Sequence, residues 1–598
     1  MESTLWYPIS FCIIFAICFI LWILKYFLPD LQTRYLRHLK YPNLIRRRRY
    51  WDSITRFEAL LLLLFLATNL VIILVPFNSH TDSITWKQVE RRCAFAACVN
   101  MVPLCLGGRM GPIVQALNIH RSSYLFFHHW IGRVAIAEAV CHATIMLSLQ
   151  PRSGALLTSG WATAGALVGV LIFSLCIIRA WLGRWFLLSH RLIALSAIGT
   201  LFWHVIHASS FQNQLLVGIS CGVWLCSTLY RLFRLLVIPL NGKVTGIQSL
   251  DHATRIDLEL SKSVHIPPGS YFNLFFPGRA GWIHSYPVVA FWHTPTKENP
   301  SRNVSNISFL LRPRGSHAKA LINLDLEDNI RLDGPFGQDL KLNDYENLVL
   351  PVKGLGIAGV LPIVLDIAER RYYDDNIRGQ LEKLSDEERA LYDEARLTEP
   401  RARARLIKKI KEKATTILKL STKLHFRDTT QKVIILWSLE HESQIEAVKD
   451  QLQSLQKLDP HNSLLVVWCG YPHPRNRGTS QKPPENPFKE EEGYWRLIEP
   501  NAKSQPFDQI IIQKIEEERK VLQGRMMVLT CGDSEFTSNV RTKVINNSDT
   551  MGIEFAEIEY RLRGMRQGKL KHRGSRNTEA RGIATYNSDD GYEDIPID

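Results

Sequence analysis

Two stretches of the 598-residue chain carry histidines at matched spacing inside otherwise apolar sequence: "HHWIGRVAIAEAVCH" at 128–142 and "HRLIALSAIGTLFWH" at 190–204. In each, the end histidines are fourteen residues apart. On a helix that is nearly four whole turns, so the second imidazole returns to within about 40° of the first and both share a face. Their separation along the axis is about 21 Å. Two such helices side by side present two levels of facing imidazoles, His128 toward His190 and His142 toward His204. A single histidine in a membrane span is more often a hydrogen-bonded packing residue than a ligand. Four at matched spacing on neighbouring spans reverse that preference, because polar groups in lipid are costly and turn to the bundle interior. A haem clasped by two axial imidazoles meets both the cost and the geometry. Two stacked haems would carry single electrons from one membrane face to the other. A hydride cannot hop that way, so the cytoplasmic partner must take two electrons and release them singly, as a flavin does.

Neighbouring polar residues have other roles. His129 lies about 140° from the face of His142, and His207 about 100° from that of His190, which makes both interfacial. Glu138, one turn before His142, either orients a ligand or hydrogen-bonds within the bundle.

The elements that must position these histidines follow from hydropathy. Residues 1 to about 240 form a series of long apolar runs, and the remainder is charged and mixed. Spans of bilayer length, about 20 residues each, fall at 5–28, 58–76, 92–108, 126–148, 159–179, 188–208 and 214–236, the third being the weakest. The first lacks the basic start and small-residue cleavage site of a secretory signal and is read as a helix. Arg34, Arg37, Lys40 and Arg46 to Arg49 place the loop at 29–57 in the cytoplasm, and Arg231 and Arg234 close the last span on the same side. The N-terminus is then outside, and seven crossings return the C-terminal region to the cytoplasm. The formal net charge of +15 is explained by these membrane-flanking residues, which form no nucleic-acid reading surface. All the cysteines except Cys469 and Cys531 lie within or beside apolar spans and none forms a CxxC pair, so neither a disulfide framework nor a zinc site is expected.

Beyond about 240 short alternating runs such as "TRIDLEL" at 254–260, with turns such as "PPGS" at 267–270, indicate a small antiparallel barrel to about 345. From "NLVLPVKGLGIAGVLPIVLDIAERR" onward, strand-like and helical runs alternate as in a parallel α/β domain, with "VIILWSL", "SLLVVWCGY" and "RMMVLTCG" as later strands. Two segments interrupt it: 370–425, dense in both charges and helical, a solvated insertion or a regulatory arm, and 473–494, a loop. The tail 563–598 has no core-forming pattern and is expected to be disordered.

Taken together these motifs resemble the ferric reductase and NADPH oxidase family, most closely the fungal ferric-chelate reductases, over about residues 58 to 560. "HHWIGR" with His142, His190 and His204 is similar to the family's histidine pairs. The resemblance implies an inner haem b on His128 and His190 and an outer one on His142 and His204. It implies a multi-domain α + β membrane protein: a first helix and basic loop (1–57), a di-haem bundle (58–240) making seven helices in all, an antiparallel β-barrel for FAD (241–345), and an α/β Rossmann-like NADPH domain of ferredoxin-reductase type (346–562). "HSYPVVAFW" resembles the family's "HPFT"-like flavin strand, which assigns His284, Ser285, Tyr286, Pro287, Val288 and Val289 to FAD, with Tyr286 where the family has histidine. A plain barrel strand is the alternative. "RPRGSHA" resembles the segment that follows, with Arg312 and Ser316 toward the flavin pyrophosphate and His317 in place of the usual threonine. "GPFG", Gly334, Pro335, Phe336 and Gly337, is similar to the family's "GPYG". "KGLGIAGVLP" supplies Lys353, Gly354, Gly356, Ile357 and Gly359 as a glycine turn for the nucleotide pyrophosphate. "TCGD" resembles the family's "CGP", placing Cys531 and Gly532 beside the nicotinamide, with Asp533 replacing proline; a buried strand-end cysteine is the other reading. Tyr560 lies near the family's terminal aromatic and is not assigned. Glu440 after "VIILWSL" favours NADH by its charge, whereas the resemblance implies NADPH.

The activity implied is electron transfer from cytosolic NADPH through FAD and two haems to an extracytoplasmic ferric chelate or cupric ion, at a plasma membrane or a vacuolar one. A superoxide-generating NADPH oxidase shares every internal cofactor, and a non-catalytic seven-span receptor or scaffold is a reading from another class. Arg91 or Arg92 meets a haem propionate or an anionic chelate, or anchors at the interface. The oligomeric state and a partner such as an iron permease stay open, and "NVS" and "NIS" at 303–308 fall in the cytoplasm, where no sugar is expected.

Overall fold

A computed structural model describes residues 35–45, 54–75, 84–106, 121–149, 154–182, 185–250, 253–277, 285–294, 303–311, 321, 324–337, 340, 342–423, 425–470, 485–488, 493–497, 507–522, 524–547 and 553–558. The span expected at 5–28, most of the loop at 473–494, and the tail lie outside these residues.

A short antiparallel ribbon, β1 (Asn43–Ile45) with β2 (Ile54–Thr55), leads into helices α1 (Arg56–Leu74), α2 (Trp86–Leu104), α3 (Arg121–Leu149), α4 (Ala155–Phe173), α5 (Phe186–His207) and α6 (Phe211–Leu236). Among the described residues, five helices are long and apolar enough to cross a membrane, all of these but α2. α1 starts where a capping box satisfies two orphan N–H groups: Thr55 Oγ1 accepts from Glu58 N at 3.2 Å, and Glu58 Oε2 accepts from Thr55 N at 2.9 Å.

α2, the weakest span by sequence, has Lys87, Glu90, Arg91 and Arg92 in its first two turns. The structure gives Arg92 a use: its Nη1 donates to the carbonyls of Val75 (2.7 Å), Ile72 (3.2 Å) and Ile73 (3.4 Å), so a cation covers the C-terminus of α1. Arg91 is exposed. α2 packs against α1, α3 and α6, burying Val89, Cys93, Ala96 and Asn100 as a stripe at helical spacing and Cys98 on another face against Val205 and Val217. At its centre Asn100 Nδ2 donates to Asn69 Oδ1 (3.1 Å) and to Glu138 Oε2 (2.9 Å), tying three helices together. Glu138 thus hydrogen-bonds within the bundle, the second of the two roles expected for it. Leu60, Leu63, Leu70, Trp161 and Leu192 face outward, as they must when the surrounding medium is as apolar as they are.

α6 ends at Leu236 and the first barrel strand begins at Leu240, so membrane and soluble halves are joined almost without a linker. Strands β3 (Leu240–Leu250), β4 (Ala253–Val264), β5 (Tyr271–Phe275), β6 (Tyr286–His293), β7 (Val304–Leu311) and β8 (Asn329–Phe336) close into an antiparallel barrel in the order β3-β4-β7-β6-β5-β8. Alternation fills its core: Ile256, Leu258 and Leu260 point inward with Phe272, Leu274, Phe309 and Leu332.

Beyond it lie β9 (Asn347–Lys353), α7 (Ile357–Leu397), α8 (Pro400–Ser421), β10 (Lys432–Ser438), α9 (Lys449–Leu458), β11 (Leu465–Gly470), β12 (Trp495–Leu497), α10 (Phe507–Val521), β13 (Met526–Thr530), α11 (Ser534–Asn547) and β14 (Ile553–Glu557). The sheet is parallel with order β12-β11-β10-β9-β13-β14. β9 is central and buried on both faces, which explains its continuous apolar run. The chain builds outward through β10, β11 and β12, then returns to the other side of β9 for β13. The crevice at the carboxyl ends of β9 and β13 is therefore the topological switch point, where open α/β sheets take ligands. The charged segment at 370–425 is helical as expected, but it starts inside α7, which runs unbroken out of the domain core and folds back as α8 over Ala395, Leu406 and Ile410.

The segment before α1 reaches the soluble half as well. Leu36 and Tyr41 join the core formed by Val349, Phe536 and Phe555, Tyr41 Oη accepts from Phe555 N at 3.0 Å, and Arg541 donates to Asn43 Oδ1 at 2.8 Å.

Candidate functional site

α3 and α5 carry the four histidines, and the structure brings them together in the expected pairs. His128 and His190 have ring centroids 6.4 Å apart, and so do His142 and His204. That spacing can be tested against a metal. Two metal–imidazole bonds of about 2.0 Å, with roughly 1.2 Å from each nitrogen to its ring centre, add to about 6.4 Å. Among the described residues no three His, Cys, Asp or Glu side chains converge as a bare ion would need. Two imidazoles across a gap are the donor set for a metal whose remaining ligands come from its own macrocycle.

The hydrogen bonds settle which ring nitrogen is available. Ser159 Oγ donates its only proton to Leu156 O (3.0 Å), so at 3.2 Å from His204 Nδ1 it accepts. Ser174 Oγ likewise donates to Val170 O (2.7 Å) and accepts from His190 Nδ1 at 3.4 Å. His142 Nδ1 faces the Glu90 carboxylate Oε1 at 3.0 Å and the Glu90 carbonyl at 3.3 Å, both acceptors. These acceptors favour the Nδ1–H tautomer in all three rings, in which the Nε2 lone pair is free for a metal. Among the described residues His128 Nδ1 is buried with no hydrogen-bond partner. A Cβ added at Gly160 would come within 3.3 Å of His204 Cε1, so this glycine admits the ring. His207 Nδ1 donates to Trp203 O of its own helix at 3.0 Å, apart from either pair. Because α5 and α6 are antiparallel and α6 enters the barrel, His128 and His190 lie at the barrel end of the bundle, and His142 with His204 at the far end.

On the barrel, Tyr286, Pro287, Val288 and Val289 pair with Leu274, Asn273, Phe272 and Tyr271 of β5, and Ser285 precedes them, half-buried. Val289, Tyr271 and Phe336 form one buried cluster, so the "HSYPVV" and "GPFG" motifs meet in space. A Cβ on Gly334 would sit 2.6 Å from the Phe272 ring. The turn is held from the membrane side: Arg234 at the end of α6 pairs with Asp333 (2.9 Å), donates to Gly334 O (3.4 Å) and lies 5.1 Å over the Phe336 ring. Pro335 and Gly337 complete this turn. His284, Arg312, Ser316, His317 and Tyr560 lie outside the described residues.

At the switch point Lys353 ends β9, Gly354 to Gly356 form a tight turn, and Ile357 opens α7. Gly354 has φ +55°, and its carbonyl accepts from Trp437 Nε1 at 3.0 Å. The glycines serve packing as much as phosphate access. A Cβ at Gly356 would meet the Cys531 carbonyl oxygen at 2.4 Å, and one at Gly359 the Cys531 Sγ at 2.8 Å. Cys531 is 3% exposed, its thiol seated on α7. Ile357 is fully buried and offers the turn its backbone only. Gly532 sits with no room for a Cβ beside Phe536. Asp533 caps α11 by accepting from Phe536 N at 2.8 Å, and its other oxygen pairs with Lys353 Nζ at 2.5 Å. The Glu440 carboxylate stands against Gly354.

Sequence reasoning passed over Glu90, Ser159, Ser174 and Asp333, and gave Arg234 only the role of a membrane-flanking charge. The serines carried a signal: fifteen residues apart, one on α4 and one at its C-cap, antiparallel to α5, they shadow the histidine spacing. Glu90 carried none, since its partner is 52 positions away.

The family model described as "Ferric reductase like transmembrane component" matches residues 93–201, which include three of the histidines and stop just before His204. "Ferric reductase transmembrane component 6" of Saccharomyces cerevisiae is 24% identical over 309 residues, 48% of this chain and 41% of that protein. "Ferric/cupric reductase transmembrane component 2" of the same yeast is 22% identical over 330 residues, 51% and 45% of the two chains. "Probable cell surface ferric reductase kap2" of Aspergillus oryzae is 21% identical over 316 residues, 50% and 38%. The chain thus spans less than half the length of these relatives. A ferredoxin NADP+ reductase from Neisseria gonorrhoeae with bound FAD and NADP overlays with a TM-score of 0.29 at 12% identity, over 53% of this chain and 97% of that one. Residues 93–201, within the helical bundle, are thus similar to the ferric reductase like transmembrane component, and about half of the chain is similar at low identity to fungal proteins named as ferric reductases.

Proposed function

We propose that the protein is a transmembrane metalloreductase that takes electrons from cytosolic NADPH and delivers them to ferric chelates or cupric ion on the far side of a membrane, the plasma membrane foremost. FAD at the barrel and two haems b in the bundle are its cofactors; bound there, the flavin supplies the step from hydride to single electrons and the haems the passage of those electrons across lipid. The observation that carries the reading is the two imidazole pairs, each with ring centroids 6.4 Å apart and each on the same two helices.

The chain's own residues divide the work. His128 and His190 would hold one haem at the barrel end, His142 and His204 the other at the far end. Ser159, Ser174 and Glu90 keep the Nδ1 protons and so present Nε2. Tyr271, Val289 and Phe336 offer an apolar floor at the barrel's membrane end, where Arg234 holds the "GPFG" turn beside the bundle. Backbone N–H groups of the turn at Gly354 to Gly356, at the N-terminus of α7, would hold the nucleotide phosphates. The Glu440 carboxylate beside that turn would disfavour a 2′-phosphate, and the family likeness supports NADPH against it.

A reduced-minus-oxidised spectrum of membranes holding the full chain, with NADPH as reductant, tests the proposal. Bands of bis-imidazole haem that appear with NADPH are expected, and ferric-chelate reduction that survives superoxide dismutase. Membranes without those bands would overturn it, and complete loss of activity with the dismutase would point to an oxidase instead.

A further inference from the structure

The partners of the four ligand-type histidines are not alike. His204 and His190 each donate Nδ1–H to a neutral serine hydroxyl, at 3.2 Å and 3.4 Å. Among the described residues His128 Nδ1 is buried without a partner. His142 faces a carboxylate, Glu90 Oε1 at 3.0 Å, with the Glu90 carbonyl as a second acceptor at 3.3 Å. Both side chains are largely enclosed, 21% exposed for His142 and 17% for Glu90, so water does not dilute the contact. Glu90 lies in the second turn of α2. Its neighbour Arg92 is engaged with the carbonyls ending α1.

An acceptor on the outer nitrogen of a ligating imidazole pulls the N–H proton and makes the other nitrogen a stronger donor; a carboxylate does so more than a hydroxyl. A stronger donor favours the oxidised, more positive metal and lowers its reduction potential. Resting on the haem reading above, we propose that Glu90 is a positioning residue that acts through His142 to make the far-end haem site the lower-potential one, so that the stronger reductant faces the acceptor side. Among the described residues the inner pair, with one serine and one unpartnered nitrogen, faces no such anion.

Redox titration of the full-length protein in membranes, followed through the haem bands, tests this. Two midpoints are expected in the unaltered chain. Glu90→Gln keeps an acceptor oxygen and removes the charge; it should raise the lower midpoint by an amount equivalent to about tenfold in the oxidised-to-reduced ratio, 59 mV for a one-electron couple, and leave the other in place. Glu90→Asp keeps the charge at shorter reach and should fall between the two. The proposal is overturned if Glu90→Gln moves neither midpoint, if it moves both equally, or if Glu90→Asp shifts as far as Glu90→Gln, which would assign the effect to packing. Absence of haem bands in the unaltered protein would instead remove the reading on which it rests.

Discussion

The contacts of the glycine turn with β13 allow a prediction that separates two superficially equal substitutions. Gly356→Ala and Gly359→Ala each press a methyl onto Cys531, but at 356 the obstacle is the Cys531 carbonyl oxygen, 2.4 Å from the new Cβ, and at 359 it is the thiol, 2.8 Å away. Overpacking a tight core costs about 1–3 kcal/mol. At 359 the cost belongs to a side chain, so Cys531→Ala, which removes the Sγ, should relieve most of it. At 356 the cost belongs to backbone that also accepts the Lys353 N–H at 3.1 Å, and no change of side chain removes it. Hydrogen exchange of the amides at 354–360 in the full-length protein reads the local opening directly. Each single alanine should raise the opening constant by about 5- to 150-fold, the equivalent of 1–3 kcal/mol. Adding Cys531→Ala should restore most of the protection in the Gly359→Ala background and little in the Gly356→Ala background. Equal rescue of both, or of neither, would refute the argument that these glycines are required by the close approach of β13.

Other outcomes follow from the same structure. His128→Leu and His204→Leu should each remove about half of the haem absorbance per protein and abolish NADPH-driven ferric reduction, since each belongs to a different pair; loss of neither band would contradict the pairing. Arg92→Leu leaves the α1 carbonyls at Ile72, Ile73 and Val75 uncovered, at a cost of about 1–3 kcal/mol, visible as a lower thermal midpoint in detergent. Tyr41→Phe leaves the buried Phe555 N–H without its acceptor and should cost about 1–3 kcal/mol, read as faster exchange of β14 amides. Burial raises the Asp366 carboxyl from 3.8 to about 6, while the Arg370 guanidinium opposes the shift. Because the folded pKa lies above the unfolded one, the ionised form is the disfavoured one: stability falls as pH rises between about 4 and 6, and Asp366→Asn should flatten that dependence in thermal melts across the window.

Much of this molecule was legible before any coordinates. α1 and α3 to α6 lie within a few residues of their hydropathy spans, because a bilayer imposes one length and one composition on whatever crosses it. The barrel strand at 253–264 and the buried strand at 347–353 announced themselves by alternation and by continuous apolarity. α2 was the weakest span because its first two turns are charged, and those charges turned out to serve neighbouring helices: Arg92 caps α1 and Glu90 faces His142. The charged segment at 370–425 was read as separate from the domain core, yet α7 carries one helix through both, since helical geometry has no reason to stop where burial does.

The candidate site divides along the same line. Periodicity is a local property, so fourteen-residue spacing by itself placed His128 with His142 on one face and His190 with His204 on another. Which helix faces which, the 6.4 Å between rings, the serines and glutamate that hold the Nδ1 protons, and the seating of Cys531 on Gly359 depend on side chains far apart in the chain meeting across packed surfaces. The sequence therefore determined what each element presents, and the tertiary structure decided what each presented group meets. A hydrogen-bond partner or a close approach is a relation between two elements, and no pattern along one of them encodes it.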